Sequence, residues 1–306
     1  MSLALSILPL ILTLAAGYLL MASKIIPHDQ WQPIEVLSFR LLIPAVLIHA
    51  IAGADLSGAA IGPYAVALVG AVATSGAIVL ALRPLISHDR LPNPSFTTLF
   101  QTTTRFNGFI ALAAAELLAG PPGLALIAVA MAVLIPLINV ANIVVLAAFG
   151  TGRASLSGIV TTIVRNPLVQ GSLLGLALNF FAVPLPEFVS GTLDLIGRAA
   201  LGVGVLAVGA GISLRRLARP SAASLAGLVL HPLLCLAVFL AISALLGLPA
   251  QHRLVGALLF AAPAASNGYV VARQMGGDAP LYADILTLQT LITLGLLPLL
   301  ALFLAP

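Results

Sequence analysis

Ten apolar runs follow one another along almost the whole chain, separated by short stretches that contain glycine, proline or charged residues. A helix of about twenty apolar residues crosses the hydrocarbon core of a bilayer. Only 7% of the 306 residues are charged, whereas soluble domains carry about 25%. The pattern predicts an all-α polytopic membrane protein with ten transmembrane helices embedded in the lipid bilayer. The runs lie near residues 3–22, 34–54, 62–82, 96–118, 122–149, 157–181, 188–213, 221–247, 252–275 and 281–304.

Several function classes are excluded by what the chain lacks. Its single lysine, Lys24, is not part of a phosphate-binding P-loop motif. Its single cysteine, Cys235, can form neither an internal disulfide nor a cysteine-based metal cluster. No protease or esterase motif of the His-Glu-x-x-His or Gly-x-Ser-x-Gly type is present. We therefore expect no enzymatic activity and no bound cofactor.

The basic residues indicate how the chain is oriented in the membrane. Eight of the thirteen lie in or beside odd-numbered connections, four lie within or at the start of spans, and only Arg253 lies in an even-numbered connection. An excess of Lys and Arg marks cytoplasmic loops. We expect a multi-pass protein of the cell inner membrane with both termini outside. The net charge of +4 then requires no nucleic-acid partner. The basic residues in or beside the odd-numbered connections are Lys24, Arg83, Arg90, Arg153, Arg215, Arg216, Arg219 and Arg273.

An internal repeat divides the chain into two halves. Arg40 and Arg198 are 158 positions apart, and the steps Asn107-Gly108 and Asn267-Gly268 are 160 positions apart. This offset predicts two five-helix repeats, residues 1–150 and 151–306. Because five is odd, the second repeat is inverted relative to the first, which is a common construction of secondary transporters.

Polar residues at the centres of the fourth and ninth runs predict that both helices are broken at mid-membrane. Irregular backbone at that depth occurs where it is buried in protein or lines a cavity, and the N-terminus of a half-helix attracts anions. A simple proline or glycine kink is the alternative for either run alone, but the recurrence in both halves favours a binding site. The candidate substrate-binding residues are Arg105, Asn107, Gly108, Pro263, Ser266, Asn267 and Gly268.

Other intramembrane polar residues are candidates for ion coupling or for packing. Ionisable groups in spans often mark ion pathways, so Glu116, Asp284 and the neighbouring Gln289 are candidates for coupling to H⁺ or Na⁺. Solvation at the membrane interface explains the two carboxylates nearly as well. For Asp194 and Arg198, four residues apart, we expect either an ion pair within one helix or snorkelling to the membrane interface. Two further sets are interpreted as packing residues: Asn139 and Asn142 on one helix face, and the lone histidines His49 and His231.

Four segments resemble the auxin efflux carrier family, which contains the plant PIN carriers and bacterial malonate-carrier-like proteins. They are Thr104-Arg-Phe-Asn-Gly-Phe-Ile-Ala-Leu, Asn166-Pro-Leu-Val-Gln-Gly, Ala207-Val-Gly-Ala-Gly and Ala262-Pro-Ala-Ala-Ser-Asn-Gly-Tyr-Val-Val-Ala-Arg-Gln-Met-Gly-Gly-Asp. The resemblance implies crossed broken helices four and nine, organic-anion transport, and a homodimer. It also implies a scaffold of spans 1, 2, 6 and 7, and a transport unit of spans 3–5 and 8–10. The long loop of the plant carriers and the proline in their fourth-span break are absent here.

The sequence therefore predicts a secondary transporter of a small organic anion such as a carboxylate, which works by elevator-type alternating access. The substrate is expected at the crossing of the broken spans. A sodium-coupled symporter of the bile-acid type shares the ten-helix plan and is the alternative among transporters. An intramembrane enzyme would need a convergent nucleophile and base, and the scattered histidines do not suggest one.

Overall fold

A computed structural model describes residues 7–56, 60–149, 156–214 and 220–304, and these residues contain helices and turns but no strand. Two π-helical turns, Ser38–Leu42 and Val229–Cys235, each connect two α-helices. The helices are α1 (Leu8–Ala22), α2 (His28–Leu37), α3 (Ile43–Ala52), α4 (Ile61–Leu82), α5 (Asn93–Thr104), α6 (Gly108–Phe149), α7 (Leu156–Val164), α8 (Pro167–Phe180), α9 (Glu187–Ala210), α10 (Ala222–Leu228), α11 (Leu236–Leu245), α12 (Ala250–Ala261), α13 (Gly268–Met275) and α14 (Ala279–Leu304).

The all-helical, membrane-spanning class is confirmed, while the number of ten crossings stays a prediction. Within the described residues, α1 and α8 are apolar but shorter than a full crossing, and the fourth, sixth and ninth predicted spans are interrupted. Six segments are long and apolar enough to cross a membrane: Asp29–Ala52, Ile61–Leu85, Asn93–Phe149, Glu187–Ala210, Ala222–Leu245 and Ala279–Leu304.

The outer surface of the helices is apolar, as a lipid environment requires. Large apolar side chains such as Leu12, Leu19, Phe188, Leu245 and Phe303 are exposed on the protein surface. In contrast, the hydroxyl-rich stretch of α5 is buried among other helices. The polar groups of α5 therefore face inward, where neighbouring helices supply hydrogen-bond partners, and large apolar side chains are left to contact lipid.

The helices pack into two groups that meet along α6. In the first group, α9 packs against α1 and α3, and α3 also packs against α8. In the second group, α4 packs against α11, α12 packs against α6 and α14, and α10 packs against α14. The long α6 additionally contacts α3, α8 and α9.

Local sequence explains where the helices are interrupted. Helix α12 ends at Ala261, and Ala262 is extended with φ −64° and ψ 145° because a following proline disfavours the helical conformation. Gly120 divides α6 into two helices, since its φ of 60° is accessible mainly to glycine. The described ranges do not include either terminus, the junction between the predicted repeats, or the residues Arg153, Arg215, Arg216 and Arg219.

Candidate functional site

The interruptions in the fourth and ninth predicted spans contact each other directly. The backbone N–H of Asn107 donates a hydrogen bond of 2.6 Å to the carbonyl oxygen of Pro263. The side-chain amide of the same asparagine donates a bond of 3.3 Å to the Ser266 hydroxyl. The structure thus brings together residues from the two halves of the chain, at a point where four half-helix ends meet. We call this contact the crossing.

Asn107 also caps the helix that follows it. Its Oδ1 atom accepts hydrogen bonds from the backbone N–H groups of Phe109 (3.1 Å) and Ile110 (3.2 Å). Asparagine is among the preferred N-cap residues because its side chain can bond the otherwise unpaired N–H groups of the first turn. This capping fixes the orientation of the amide, so that the Nδ2 donor points toward Ser266 and the other broken helix.

The second interruption is closed by its own backbone and by a tyrosine of α14. The N–H groups of Gly268 and Val270 donate to the carbonyl oxygens of Ala265 and Asn267. The Tyr282 hydroxyl donates to the Ala265 carbonyl at 2.7 Å. A Cβ atom at Gly268 would overlap the Tyr282 ring, so this position requires glycine. The side chain of Asn267 is exposed, unlike that of Asn107.

The backbone N–H groups at the N-terminal ends of α6 and α13, which were expected to be free to bind an anion, thus mostly have hydrogen-bond partners within the protein. At α6 the Asn107 side chain occupies them, and at α13 the preceding turn does so. What the crossing offers an anion is the positive ends of the helix dipoles and the side-chain donors of Asn107, Ser266 and Asn267.

Arg105 supplies a buried positive charge next to these donors. It is 6% exposed, and its Nη1 contacts Asn139 Oδ1 at 3.4 Å. Its buried Nε has no hydrogen-bond partner in the described part of the chain. Among the residues that the structure describes, no carboxylate forms an ion pair with it. Two residues of chain span at most about 7 Å, so the backbone of Arg105 lies close to that of Asn107.

The three candidates for ion coupling lie in different places. Gln289 is fully buried at the crossing, where its Oε1 accepts from the N–H of Ala264 (2.8 Å) and its Nε2 donates to Gly227 O (2.9 Å). Asp284 lies more than one turn earlier in α14. Glu116 is nine residues from Asn107 along α6, about 14 Å away. Its buried Oε2 atom has no hydrogen-bond partner among the described residues. The structure therefore places only Gln289 at the crossing.

A cavity of about 1030 Å³ lies between the two helix groups, beside the ends of α3, α9 and α12. Its walls include His49, Glu116, Asp194, Arg198 and His252. Arg198 Nη2 and Asp194 Oδ2 form the expected ion pair at 2.7 Å. The residues that line the cavity belong to even-numbered connections and to the helical turns next to them. The distribution of basic residues predicts that these connections are outside, so the cavity lies at the predicted outer end of the molecule.

A close contact between α6 and α9 lies near the cavity lining. A Cβ atom at Gly204 would overlap the ring of Phe109, which packs directly on the α9 backbone. Phe109 is two residues beyond Asn107, and Leu201 on the preceding turn of α9 lines the cavity. The contact of Phe109 with Gly204 therefore joins a residue next to the crossing to the turn of α9 that follows the cavity lining.

Comparison with known proteins supports a transport role. The family model for membrane transport proteins matches residues 152–301. This region of the chain belongs to the auxin efflux carrier family of membrane transport proteins. The resemblance predicted from the sequence is thereby confirmed, and the family consists of transporters rather than enzymes. A comparison with curated proteins gives no match to the chain.

Within this transporter, side chains that sequence reasoning assigned to packing or left out also contact the crossing. Thr293 Oγ1 donates to Ala261 O at 2.6 Å, and Asn142 Nδ2 donates to Thr104 Oγ1 at 2.9 Å. The ring nitrogens of His231 lie 2.8 Å from the carbonyl oxygens of Thr103 and Ala262. The last carbonyl groups of a helix have no partner within it; His231 and Thr293 meet such carbonyls at α5 and α12, whereas Asn142 binds a side-chain hydroxyl of α5. Each predicted helix break leaves C-terminal carbonyl groups without a partner in their own helix, and this need for donors could have indicated the nearby polar side chains.

Proposed function

We propose that this membrane transporter carries a small organic anion, such as a carboxylate, and binds it at the crossing. The observation that carries the proposal is the buried guanidinium of Arg105, which has no carboxylate partner among the described residues. An uncompensated buried charge is costly, and a bound anion would neutralise it. The positive dipole ends of α6 and α13 favour the same sign of ligand.

The side chains around the crossing suit a carboxylate. Asn107 Nδ2 is held toward Ser266 by the capping bonds of Oδ1, and Asn267 is exposed next to it. Together with the forked donors of Arg105, these groups can donate to both oxygens of a carboxylate. A cation close to Asn107 and Ser266 would meet the like charge of Arg105 and the positive dipole ends of α6 and α13.

The packing supports an elevator-type mechanism. Each helix group is closely packed internally, and the groups meet along α6 and around a cavity at one end of the molecule. In the proposed cycle, the group that carries the crossing slides along the scaffold of α1, α3, α8 and α9. The Phe109 ring leaves its contact with Gly204 during this movement, and the crossing gains access to the cavity.

Binding of carboxylates to purified protein tests the proposal. In the wild type, we expect thermal stabilisation by members of a panel of mono- and dicarboxylates that includes malonate, and none by organic cations. Arg105→Gln should abolish this stabilisation while the unliganded protein remains at least as stable, because a buried unpaired charge is removed. Arg198→Gln is the matched control, since that arginine is exposed and already paired. Equal carboxylate responses in both variants would refute the site, and a response that requires sodium would favour the bile-acid-type symporter.

The movement has its own test. Cysteines at Phe109→Cys and Gly204→Cys, on a Cys235→Ser background, replace the ring and the glycine that now touch. A disulfide between them should stop carboxylate uptake into proteoliposomes, and reduction should restore it. Full uptake by the cross-linked protein would show that α6 and α9 need not move apart.

A further inference from the structure

His231 lies between the C-terminal ends of both broken helices. It belongs to the π-helical turn Val229–Cys235 and is 1% exposed. Nδ1 is 2.8 Å from the carbonyl oxygen of Thr103, at the end of α5. Nε2 is 2.8 Å from the carbonyl oxygen of Ala262, just after α12. One side chain thus bridges the first half of the fourth predicted span to the first half of the ninth.

Only the charged form of histidine can make both of these hydrogen bonds. A neutral imidazole carries one N–H, and its other nitrogen presents a lone pair. At 2.8 Å, that lone pair would face the lone pairs of a carbonyl oxygen, which is repulsive. An imidazolium ion donates to both carbonyls. The C-terminal ends of two helices also carry partial negative charge, which favours a cation between them.

The local backbone explains how the imidazole reaches this position. Pro232 lacks a backbone N–H and cannot make the regular helical bond. The helix widens there into a π turn, a feature that is frequent at functional sites. One turn later, Cys235 Sγ donates to the same Thr103 carbonyl at 3.3 Å. The Thr103 carbonyl therefore keeps a donor when His231 releases it, whereas the described residues supply no second donor to the Ala262 carbonyl.

We propose that His231 is a proton-binding site whose charged form ties the C-terminal ends of the two broken helices together, and whose deprotonation releases one of them. The reaction is the binding of one proton from water to a ring nitrogen lone pair. The consequence for transport rests on the proposed function. An anion would bind at the N-terminal ends of α6 and α13, and a proton at the C-terminal ends of α5 and α12, which is the division of charge seen in transporters with broken helices.

Few other ionisable groups are present on the helices that pack against this turn. In the described part of these helices they are Tyr64 in α4, His252 and Arg253 in the first turn of α12, Tyr282 and Asp284 in the first turns of α14, and Cys235 on the same run. His252 and Arg253 are separated from Ala262 by most of α12, about 14 Å. Arg105, two residues after Thr103, is the nearest cation in sequence, and its guanidinium contacts Asn139 instead. His231 is thus the group that meets both carbonyls.

Nitrogen NMR of histidine-labelled protein in lipid tests the proton site without a substrate. The chain has five histidines, and a variant that carries glutamine at His28, His49, His88 and His252 retains only His231. We expect two protonated ring nitrogens at about pH 5 and one at about pH 9. One protonated nitrogen across this whole range would overturn the proposal. His231→Gln in the wild-type background identifies the same signal by its loss.

Uptake of labelled malonate into proteoliposomes tests the coupling. We expect a pH gradient to stimulate uptake by the wild type and by the matched control His252→Gln, and His231→Gln to lose this stimulation. A His231→Gln variant that keeps it would overturn the coupling while leaving the anion site intact. If no variant takes up or binds any carboxylate, the proposed function fails, and the NMR result still decides whether His231 binds a proton.

Discussion

Replacing Asn107 by aspartate separates its role as a helix cap from its role as a ligand of the substrate. Aspartate caps helices as well as asparagine does, so the bonds to the N–H groups of Phe109 and Ile110 should persist in Asn107→Asp. The same substitution removes the Nδ2 donor that points toward Ser266 and places a negative charge there. We therefore expect unchanged or higher thermal stability together with loss of carboxylate binding.

The magnitude follows from the bonds that are lost. A hydrogen bond to a charged group contributes about 1.5–3 kcal/mol, which corresponds to a roughly ten- to hundredfold weaker affinity. Repulsion between the new carboxylate and the ligand adds to this loss. Asn107→Ala removes both the cap and the donor, so it should lower affinity and also cost about 1 kcal/mol of stability. Calorimetric titration with the best-binding carboxylate and thermal unfolding measure the two quantities.

Asn166 provides the matched control. It caps α8 in the same way, because its Oδ1 accepts from the N–H groups of Leu168 (2.9 Å) and Val169 (3.4 Å). Asn166→Asp and Asn166→Ala should reproduce the stability changes and leave carboxylate affinity unaltered. Carboxylate binding by Asn107→Asp that is as tight as in the wild type would refute the ligand role, since Asn107 would then act only as a helix cap.

Four further predictions concern stability, coupling, orientation and assembly. Gly268→Ala should destabilise the protein by about 1–3 kcal/mol through overpacking against α14, and unchanged thermal unfolding would contradict the close contact. If Glu116 or Asp284 couples transport to protons, Glu116→Gln or Asp284→Asn should flatten the pH profile of uptake, and two unchanged profiles exclude both. Ser221→Cys on a Cys235→Ser background should resist impermeant thiol reagents in intact cells, and ready labelling reverses the orientation. Native mass measurement should give twice 31.2 kDa, and a uniform monomer contradicts the dimer.

Features that depend on neighbouring residues in the chain could be predicted from the sequence. The apolar runs and helix interruptions follow from hydropathy and from the local effects of residues such as Pro263, and the structure has helices and breaks at these places. The ion pair of Asp194 with Arg198 is local as well, because residues four apart lie on one helix face.

Only the tertiary structure decided which of these local features meet. The sequence marks Asn107 and Pro263 as helix-breaking positions, but the 2.6 Å bond between them exists because two distant helices cross. From the sequence, His231 is one histidine among apolar residues. The structure places it between the ends of α5 and α12, whose last carbonyl groups need hydrogen-bond donors from outside their own helix. Side-chain periodicity indicates which face of a helix is buried, whereas the partners of a buried polar group depend on the helices that pack against that face. In a lipid environment each such group needs a partner within the protein, so its role was decided by the packing.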